Sequence, residues 1–242
     1  MTSPSALLAY ARAPITLRLS VIVPCFNERA TVNELIDRVH AVPIDKQVIV
    51  VDDCSTDGSR DLLCTRARDK GDITLVLLDR NGGKGAAVQA GLTKASGDVV
   101  IIQDADLEYD PADYPLVLRP IQTGKSKVVY GSRFIGEHRA MYFWHSLGNK
   151  TLTLLCNVLF DTTLTDMETC YKAFTIDIAN RLKLREPGWG FDPEITARIL
   201  RMGQRIYEVP ISYAGREFNE GKKISWRDGF VVLLTLLRYR FF

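Results

Sequence analysis

Short runs of apolar, largely β-branched residues recur along this chain, and each is followed at once by a polar segment. The runs are Leu17–Val23, Gln47–Val51, Ile73–Leu78, Val99–Ile102 and Lys127–Tyr130. A strand with one wet face alternates apolar and polar residues; these runs are almost continuously apolar, as strands covered on both faces must be. Helical patterns lie between them. Val32, Leu35, Ile36 and Val39 follow the i, i+3, i+4, i+7 rule, and the segment from Pro111 to Ile121 opens with proline where a helix starts. Such alternation predicts an α/β fold with a mainly parallel central sheet flanked by helices.

In a sheet of this kind ligands sit beyond the carboxyl ends of the strands. The segments at those ends read Pro24-Cys25-Phe26-Asn27-Glu28, Asp52-Asp53-Cys54-Ser55-Thr56-Asp57-Gly58, Asp79-Arg80-Asn81-Gly82-Gly83-Lys84-Gly85, Gln103-Asp104-Ala105-Asp106-Leu107-Glu108 and Gly131-Ser132-Arg133. Five strand ends thus converge on one chemistry. Beyond Arg133 the pattern changes to an apolar segment around Leu152–Leu159, a polar stretch Asp161–Cys170, a helix Glu194–Met202, a strand Ile206–Ile211, a basic glycine-containing loop and a last helix.

The acidic run Asp104-Ala105-Asp106-Leu107-Glu108 is the most telling of these segments. If it is extended, Asp104, Asp106 and Glu108 project to one side, because side chains alternate with period two. Carboxylates held that close repel unless a cation sits among them, and hard oxygen ligands suit Mg²⁺ or Mn²⁺, which bind few protein carboxylates together with substrate phosphates. The alternative is a solvated turn ending a strand. Placement directly after Val99–Ile102 favours the metal.

Asp52-Asp53 ends another buried strand. Ser55 to Gly58 are good capping and turn residues, but capping explains the adjacent carboxylates less well, and Asp53 is assigned to nucleotide binding through a base or ribose. Asn81-Gly82-Gly83-Lys84-Gly85 opens a helix whose glycines permit close approach and whose free N–H groups favour an anion. The spacing is not that of a Walker loop. Lys84 is placed for diphosphate contact, with a glycine-rich helix entrance as the plainer alternative.

The rest of the chain bounds the function. With 242 residues, 46% hydrophobic and 25% charged, it can bury a large core. A formal charge of +2 with scattered basic residues argues against a nucleic-acid partner. Five cysteines with no CxxC pair indicate neither a disulfide framework nor a zinc site, so reduced thiols in a cytoplasmic setting are expected. Residues 1–16 lack the compact apolar core of a secretion signal and read as a tail. No apolar stretch reaches the roughly 18 to 20 residues that cross a bilayer as a helix. Residues 226–242, by contrast, are aromatic and apolar with Arg227, Arg238 and Arg240 interspersed. This amphipathic helix is read either as lying at a membrane interface or as packing on the core.

Taken together, VIVPCFNE at 21–28, VVDDCSTDGS at 50–59, RNGGKGAAVQAG at 80–91, QDADLEYDP at 103–111, YGSRF at 130–134 and REFNEGKKISWRDG at 216–229 resemble family 2 glycosyltransferases. The resemblance is to the polyprenyl-phosphate group in particular, which includes dolichol-phosphate mannose and dolichyl-phosphate glucose synthases. It runs from about Leu17 to the C-terminus. It implies a GT-A fold with a Rossmann-like sheet over 17–225, a nucleotide-binding half at 17–110 and an acceptor half at 111–225. It also implies a divalent metal, Mg²⁺ or Mn²⁺, and inverting transfer from a nucleotide sugar, UDP- or GDP-linked, to a polyprenyl or dolichyl phosphate at the cytoplasmic face of a membrane. By the same resemblance Pro24, Phe26, Glu28 and Asp53 line the nucleoside pocket, with Lys84 at the diphosphate. Asp104 contacts the nucleotide sugar, and Asp106 with Glu108 holds the metal. Arg133, Arg216, Lys222 and Lys223 are the cations for the acceptor phosphate and the leaving diphosphate, with Asp106, Arg133 and Arg216 as the catalytic set. At Glu108 and Gly83-Lys84-Gly85 the chain departs from the mannose synthases and stands closer to glucosyl-type relatives.

A phosphate monoester already carries an ionised oxygen at neutral pH, its second pKa being about 6. The nucleophile then needs little general-base help, and catalysis reduces to alignment and charge stabilisation. Other readings are a transferase acting on a soluble or cell-envelope glycan, which would want a carboxylate base, a sugar nucleotidyltransferase, and a non-catalytic nucleotide-sugar binding module. A nucleotidyltransferase typically carries a glycine-rich, arginine-containing loop where this chain has Pro24–Glu28.

Overall fold

The computed structural model describes residues 16–136, 138–188, 190–215 and 226–242, with the side chains of the last segment from residue 229 onward. Seven strands form one sheet: β1 (Leu19–Cys25), β2 (Lys46–Asp52), β3 (Thr74–Leu77), β4 (Val99–Ile102), β5 (Val128–Ser132), β6 (Lys172–Thr175) and β7 (Tyr207–Pro210). Their order is β3-β2-β1-β4-β6-β5-β7. All neighbours are parallel except β6, which runs antiparallel to both β4 and β5. The six other strands therefore point the same way. The five apolar runs are five of these strands, displaced by no more than two residues at either end, and Ile206–Ile211 contains a sixth. The sequence reading contained no strand at β6, which follows the polar stretch 161–170 and consists of only four residues, KAFT.

Eight helices follow among the described residues: α1 (Val32–Ala41), α2 (Ser59–Lys70), α3 (Lys84–Leu92), α4 (Tyr114–Gln122), α5 (Phe143–Phe160), α6 (Ile176–Arg181), α7 (Phe191–Arg201) and α8 (Trp226–Phe241). The four residues that marked α1 in the sequence are the four it buries, all at 0% exposure. The helix expected from Pro111 starts as a 3-10 turn over Pro111–Asp113, where Asp110 accepts from the Ala112 N–H at 2.9 Å, and becomes α-helical at Tyr114. Gly91 of α3 lies so near Ile22 that a side chain there would press on the isoleucine, which sets α3 close against the sheet.

What positions the site is the register at the carboxyl edge. Cys25 pairs with Asp52, and Asp52 with Leu77. Single hydrogen bonds continue the ladder past the strand ends: Asp53 N–H to Cys25 O at 2.8 Å, Leu78 N–H to Asp52 O at 2.9 Å and Gln103 N–H to Ile22 O at 2.9 Å. The chain leaves β1 toward β2 and leaves β4 on the other side, so the crevice of a doubly wound sheet opens between them.

A second, smaller apolar cluster joins α5, α8 and the polar stretch: Cys156, Met167, Val232 and Leu236, with Leu152, Leu155, Leu159, Phe160 and Leu200 packed around it. Polar contacts secure α8 as well. The Tyr239 hydroxyl donates to Glu194 at 2.7 Å, Arg201 donates to the Tyr239 carbonyl at 2.7 Å, and Arg238 meets Glu186 at 3.0 Å. The terminal helix is thus docked on the body, while Phe230, Val231, Leu234, Phe241 and Phe242 stay exposed. The reading of it as packing on the core is met on its inner face. No described helix is long and apolar enough to cross a membrane.

Candidate active site

A cavity of about 420 Å³ opens at the carboxyl edge. Every described residue assigned to the site from the sequence lines it: Pro24, Phe26 and Glu28 after β1, Asp53 after β2, Lys84 at α3, Asp104, Asp106 and Glu108 after β4, and Arg133 after β5. Arg216, Lys222 and Lys223 lie outside the described residues.

The loops are stitched to one another through their polar side chains. Asn27 N–H donates to Ser55 Oγ at 3.0 Å, Thr56 N–H to Asn27 Oδ1 at 2.8 Å and Glu28 N–H to Ser59 Oγ at 3.0 Å. Thr31 Oγ1 donates to the Ala105 carbonyl at 2.8 Å, which ties the β1 loop to the acidic run. Three of these loops contain a non-glycine residue in the left-handed region: Asn27 at φ 56°, Cys54 at φ 61° and Leu107 at φ 64°. Leucine has no local hydrogen bond to offset that conformation, so the surrounding contacts impose it on Leu107.

That left-handed residue overturns one expectation. Residues 104–108 form a turn and do not extend, so the three carboxylates do not share one face by alternation. Asp104 meets Lys84 Nζ at 2.8 Å. Burial works against charge in both groups, but each more than compensates the other, so the Asp104 carboxyl lies below its ordinary range and the Lys84 ammonium above its own. Asp106 Oδ1 accepts from the Glu108 N–H at 3.1 Å, and Glu108 accepts from the Tyr213 hydroxyl at 2.8 Å. Among the described residues no three His, Cys, Asp or Glu side chains form a ready metal cluster. The donor chemistry nevertheless fits a hard divalent cation, because Asp106 and Glu108 offer oxygen ligands on the cavity wall and such ions complete their shells with phosphate and water.

The Asp52-Asp53 pair also acquires a different first role. Asp52 is fully buried, accepts from the Ser55 N–H and pairs with Arg60 at 2.7 Å. Asp53 accepts from the N–H groups of Gly82 and Gly83, both at 2.7 Å. Burial pushes its carboxyl up, against the pull of those two donors. The carboxylate therefore latches the glycine loop to β2. The same bonds correct the reading of that loop as an open anion cradle: Gly82 and Gly83 donate to Asp53, and Ala86 N–H donates to the Pro187 carbonyl at 3.0 Å. Gly85 is required for packing, since a Cβ there would overlap the Glu186 carbonyl oxygen and stand 2.9 Å from that of Pro187.

Arg133 is buried against Asp166, with Nε and Nη2 each 2.7 Å from a different carboxylate oxygen, and its backbone N–H donates to the same group at 3.0 Å. Burial alone would lower the guanidinium's pKa; the Asp166 partner raises it well above its ordinary value. Its ring neighbour is Tyr213, 5.3 Å from guanidinium carbon to ring centroid.

The far wall holds residues that the sequence reading did not single out. His145, Asn149 and Leu152 come from α5, Glu168 from the loop before β6, Asp192 from α7, and Gly229 and Val232 from α8. Asp192 pairs with the fully buried Lys172 at 2.5 Å. The acids in Asp166-Met167-Glu168 and Phe191-Asp192-Pro193 stand beside apolar residues in the sequence, but nothing local places them opposite the strand ends. In all, seven carboxylates line the cavity (Glu28, Asp53, Asp104, Asp106, Glu108, Glu168 and Asp192) against two described cations, Lys84 and Arg133, each already paired. Such a wall receives an anionic substrate only with added positive charge.

A mainly parallel sheet with an acidic cleft at its switch point is the arrangement of a GT-A glycosyltransferase. The chain belongs to glycosyl transferase family 2, whose profile matches residues 20–182. It is 29% identical over 218 residues to the undecaprenyl-phosphate mannosyltransferase of Micrococcus luteus, covering 85% of this chain and 87% of that protein. It is 29% identical over 215 residues to the undecaprenyl-phosphate 4-deoxy-4-formamido-L-arabinose transferase of Salmonella paratyphi A, covering 87% of this chain and 63% of that longer protein. The fold matches glucosyl-3-phosphoglycerate synthase from Mycobacterium tuberculosis, solved with Mn²⁺, UDP and glucosyl-3-phosphoglycerate, with a TM-score of 0.70 at 22% identity over 98% of this chain and 84% of that one.

Proposed function

We propose that this glycosyltransferase moves a sugar from a nucleotide-sugar diphosphate to a polyprenyl phosphate at a membrane surface, with inversion at the anomeric carbon. The observation that carries the reading is the cavity itself. One wall is built by the strand-end loops of the first half, and the other by α5, α7, α8 and the loop before β6. The named relatives differ in the sugar but share undecaprenyl phosphate, so the acceptor is the common element.

Pro24, Phe26 and Glu28 would line the nucleoside, with Asp53 acting through the glycine loop it holds. Lys84 would neutralise Asp104 and the diphosphate between them. Asp106 with Glu108 would hold Mg²⁺ or Mn²⁺, which when bound supplies positive charge to the leaving diphosphate. Arg133, kept in place by Asp166, together with Arg216, Lys222 and Lys223, would orient the acceptor phosphate. The acceptor needs no general base of its own at neutral pH.

The exposed faces of α5 and α8 support a membrane partner. Phe143, Trp144, Leu147, Leu154 and Val158 stand in solvent along α5, beside the exposed residues of α8, and the opposite sides of both helices line the cavity. A concentration of exposed apolar side chains of that kind marks an interaction site, and Arg238 and Arg240 suit anionic headgroups.

The test is product formation from UDP- and GDP-sugars with a short polyprenyl phosphate and Mg²⁺ or Mn²⁺. Lipid-linked sugar from the native protein and none from Asp106→Ala, with an unchanged circular dichroism spectrum, is the expected result. Nucleoside diphosphate release with glycan acceptors alone would overturn the lipid-phosphate reading, and pyrophosphate production would make the protein a nucleotidyltransferase.

A further inference from the structure

Of the two acids of the cavity wall that the roles above leave unused, Asp192 is paired with Lys172 and Glu168 has no ion pair among the described residues. Its neighbours come from four elements and its own loop: Asp192 on α7, Lys172 on β6, Arg133 after β5, Cys156 on α5 and Asp166 two residues before it, with His145 of α5 on the same cavity. Both cations in that set are already matched, Lys172 by Asp192 at 2.5 Å and Arg133 by Asp166 at 2.7 Å. Glu168 Oε1 is buried and has no hydrogen-bond partner among the described residues. That carboxyl has one oxygen out of water while the residue stays on the cavity wall, next to other acids and without a cation of its own among the described residues.

We propose that Glu168 is held as a neutral carboxylic acid and donates a hydrogen bond to a phosphate oxygen of the acceptor, orienting that phosphate toward the donor wall. The proposal rests on the polyprenyl-phosphate reading given above. A neutral carboxyl is a donor, whereas an ionised one only accepts and would repel a phosphate dianion. Burial and then the Asp192 charge push the Glu168 carboxyl up to about 7, and an incoming dianion raises its proton affinity further. The phosphate itself ionises fully above about 6. The working window lies where the phosphate has lost its second proton and Glu168 has kept its own.

The test is the pH profile of kcat/KM for a short polyprenyl phosphate with native protein, Glu168→Gln and Glu168→Ala. Glutamine keeps a donor of the same shape and cannot ionise. Glu168→Gln should remain within about threefold of native at pH 7 and lose the fall in activity above neutrality. Glu168→Ala should lose about tenfold to a hundredfold, the range of one hydrogen bond to a charged group. Thermal melting of all three variants identifies any loss that arises from unfolding. If Glu168→Gln is as impaired as Glu168→Ala while native activity rises through pH 7, Glu168 acts as an ionised base and the proposal falls, with the lipid-phosphate reading intact. If native protein makes no lipid-linked sugar at any pH, that reading falls and the acceptor-phosphate role of Glu168 falls with it.

Discussion

Replacing Asp53 by alanine separates two roles that its position allows, a latch within the protein and a direct contact to the nucleotide. The side chain is 3% exposed, and its two oxygens accept from Gly82 and Gly83 at 2.7 Å each. Hydrogen bonds to a charged group contribute about 1.5–3 kcal/mol apiece, so the pair is worth roughly 3–6 kcal/mol. Burial of the carboxylate, visible as its raised pKa, offsets part of this. The net loss expected for Asp53→Ala is about 3 kcal/mol, which for a domain of this size lowers Tm by roughly 6–12 °C. Asp53→Asn keeps one acceptor oxygen and should fall between alanine and native. The assay is thermal and urea unfolding without nucleotide, so that ligand contacts contribute nothing. A Tm shift below about 2 °C, together with a large loss of nucleoside diphosphate affinity, would refute the latch and restore Asp53 to a direct ribose or base contact.

Gly85→Ala should destabilise by about 2 kcal/mol or more through overpacking, although alanine ordinarily stabilises a helix interior by roughly 0.5–1 kcal/mol; the cause is the overlap with the Glu186 carbonyl, and an unchanged urea midpoint would contradict it. Glu168 carries a stability signature independent of activity. Its folded pKa of about 7 exceeds its ordinary 4.5, so the unfolded chain gives up the proton first, and native stability falls as pH climbs between those values. At about 1.4 kcal/mol per unit the difference between Glu168→Gln and native should grow from near zero at pH 4 to about 2–3 kcal/mol at pH 8; parallel curves would show an ordinary carboxyl. The double variant Phe143→Glu, Leu234→Glu changes two side chains that are 69% and 65% exposed. It should keep the native melting point and lose co-sedimentation with vesicles containing phosphatidylglycerol, whereas retained binding would remove α5 and α8 from the membrane contact.

The chain by itself determined the strands and their polar ends. Covering a strand on both faces demands a continuous apolar run, and such runs are local, so β1 to β5 could be read directly, and with them the edge where Pro24, Asp53, Lys84, Asp104 and Arg133 meet. The reversed strand β6 carried no such signal, being four residues long with a lysine at its start. The assignments of individual carboxylates fared differently, because a carboxylate's role depends on which donor or cation reaches it. Only the tertiary structure joined Asp53 to Gly82 and Gly83, Asp104 to Lys84 and Arg133 to Asp166, across 20 to 33 residues of chain. It also carried Glu168 and Asp192 to the wall opposite the strand ends. Burial periodicity is written along the sequence, but the compensation of charge is settled by contacts between distant segments, and the chemistry of this cleft rests on that compensation.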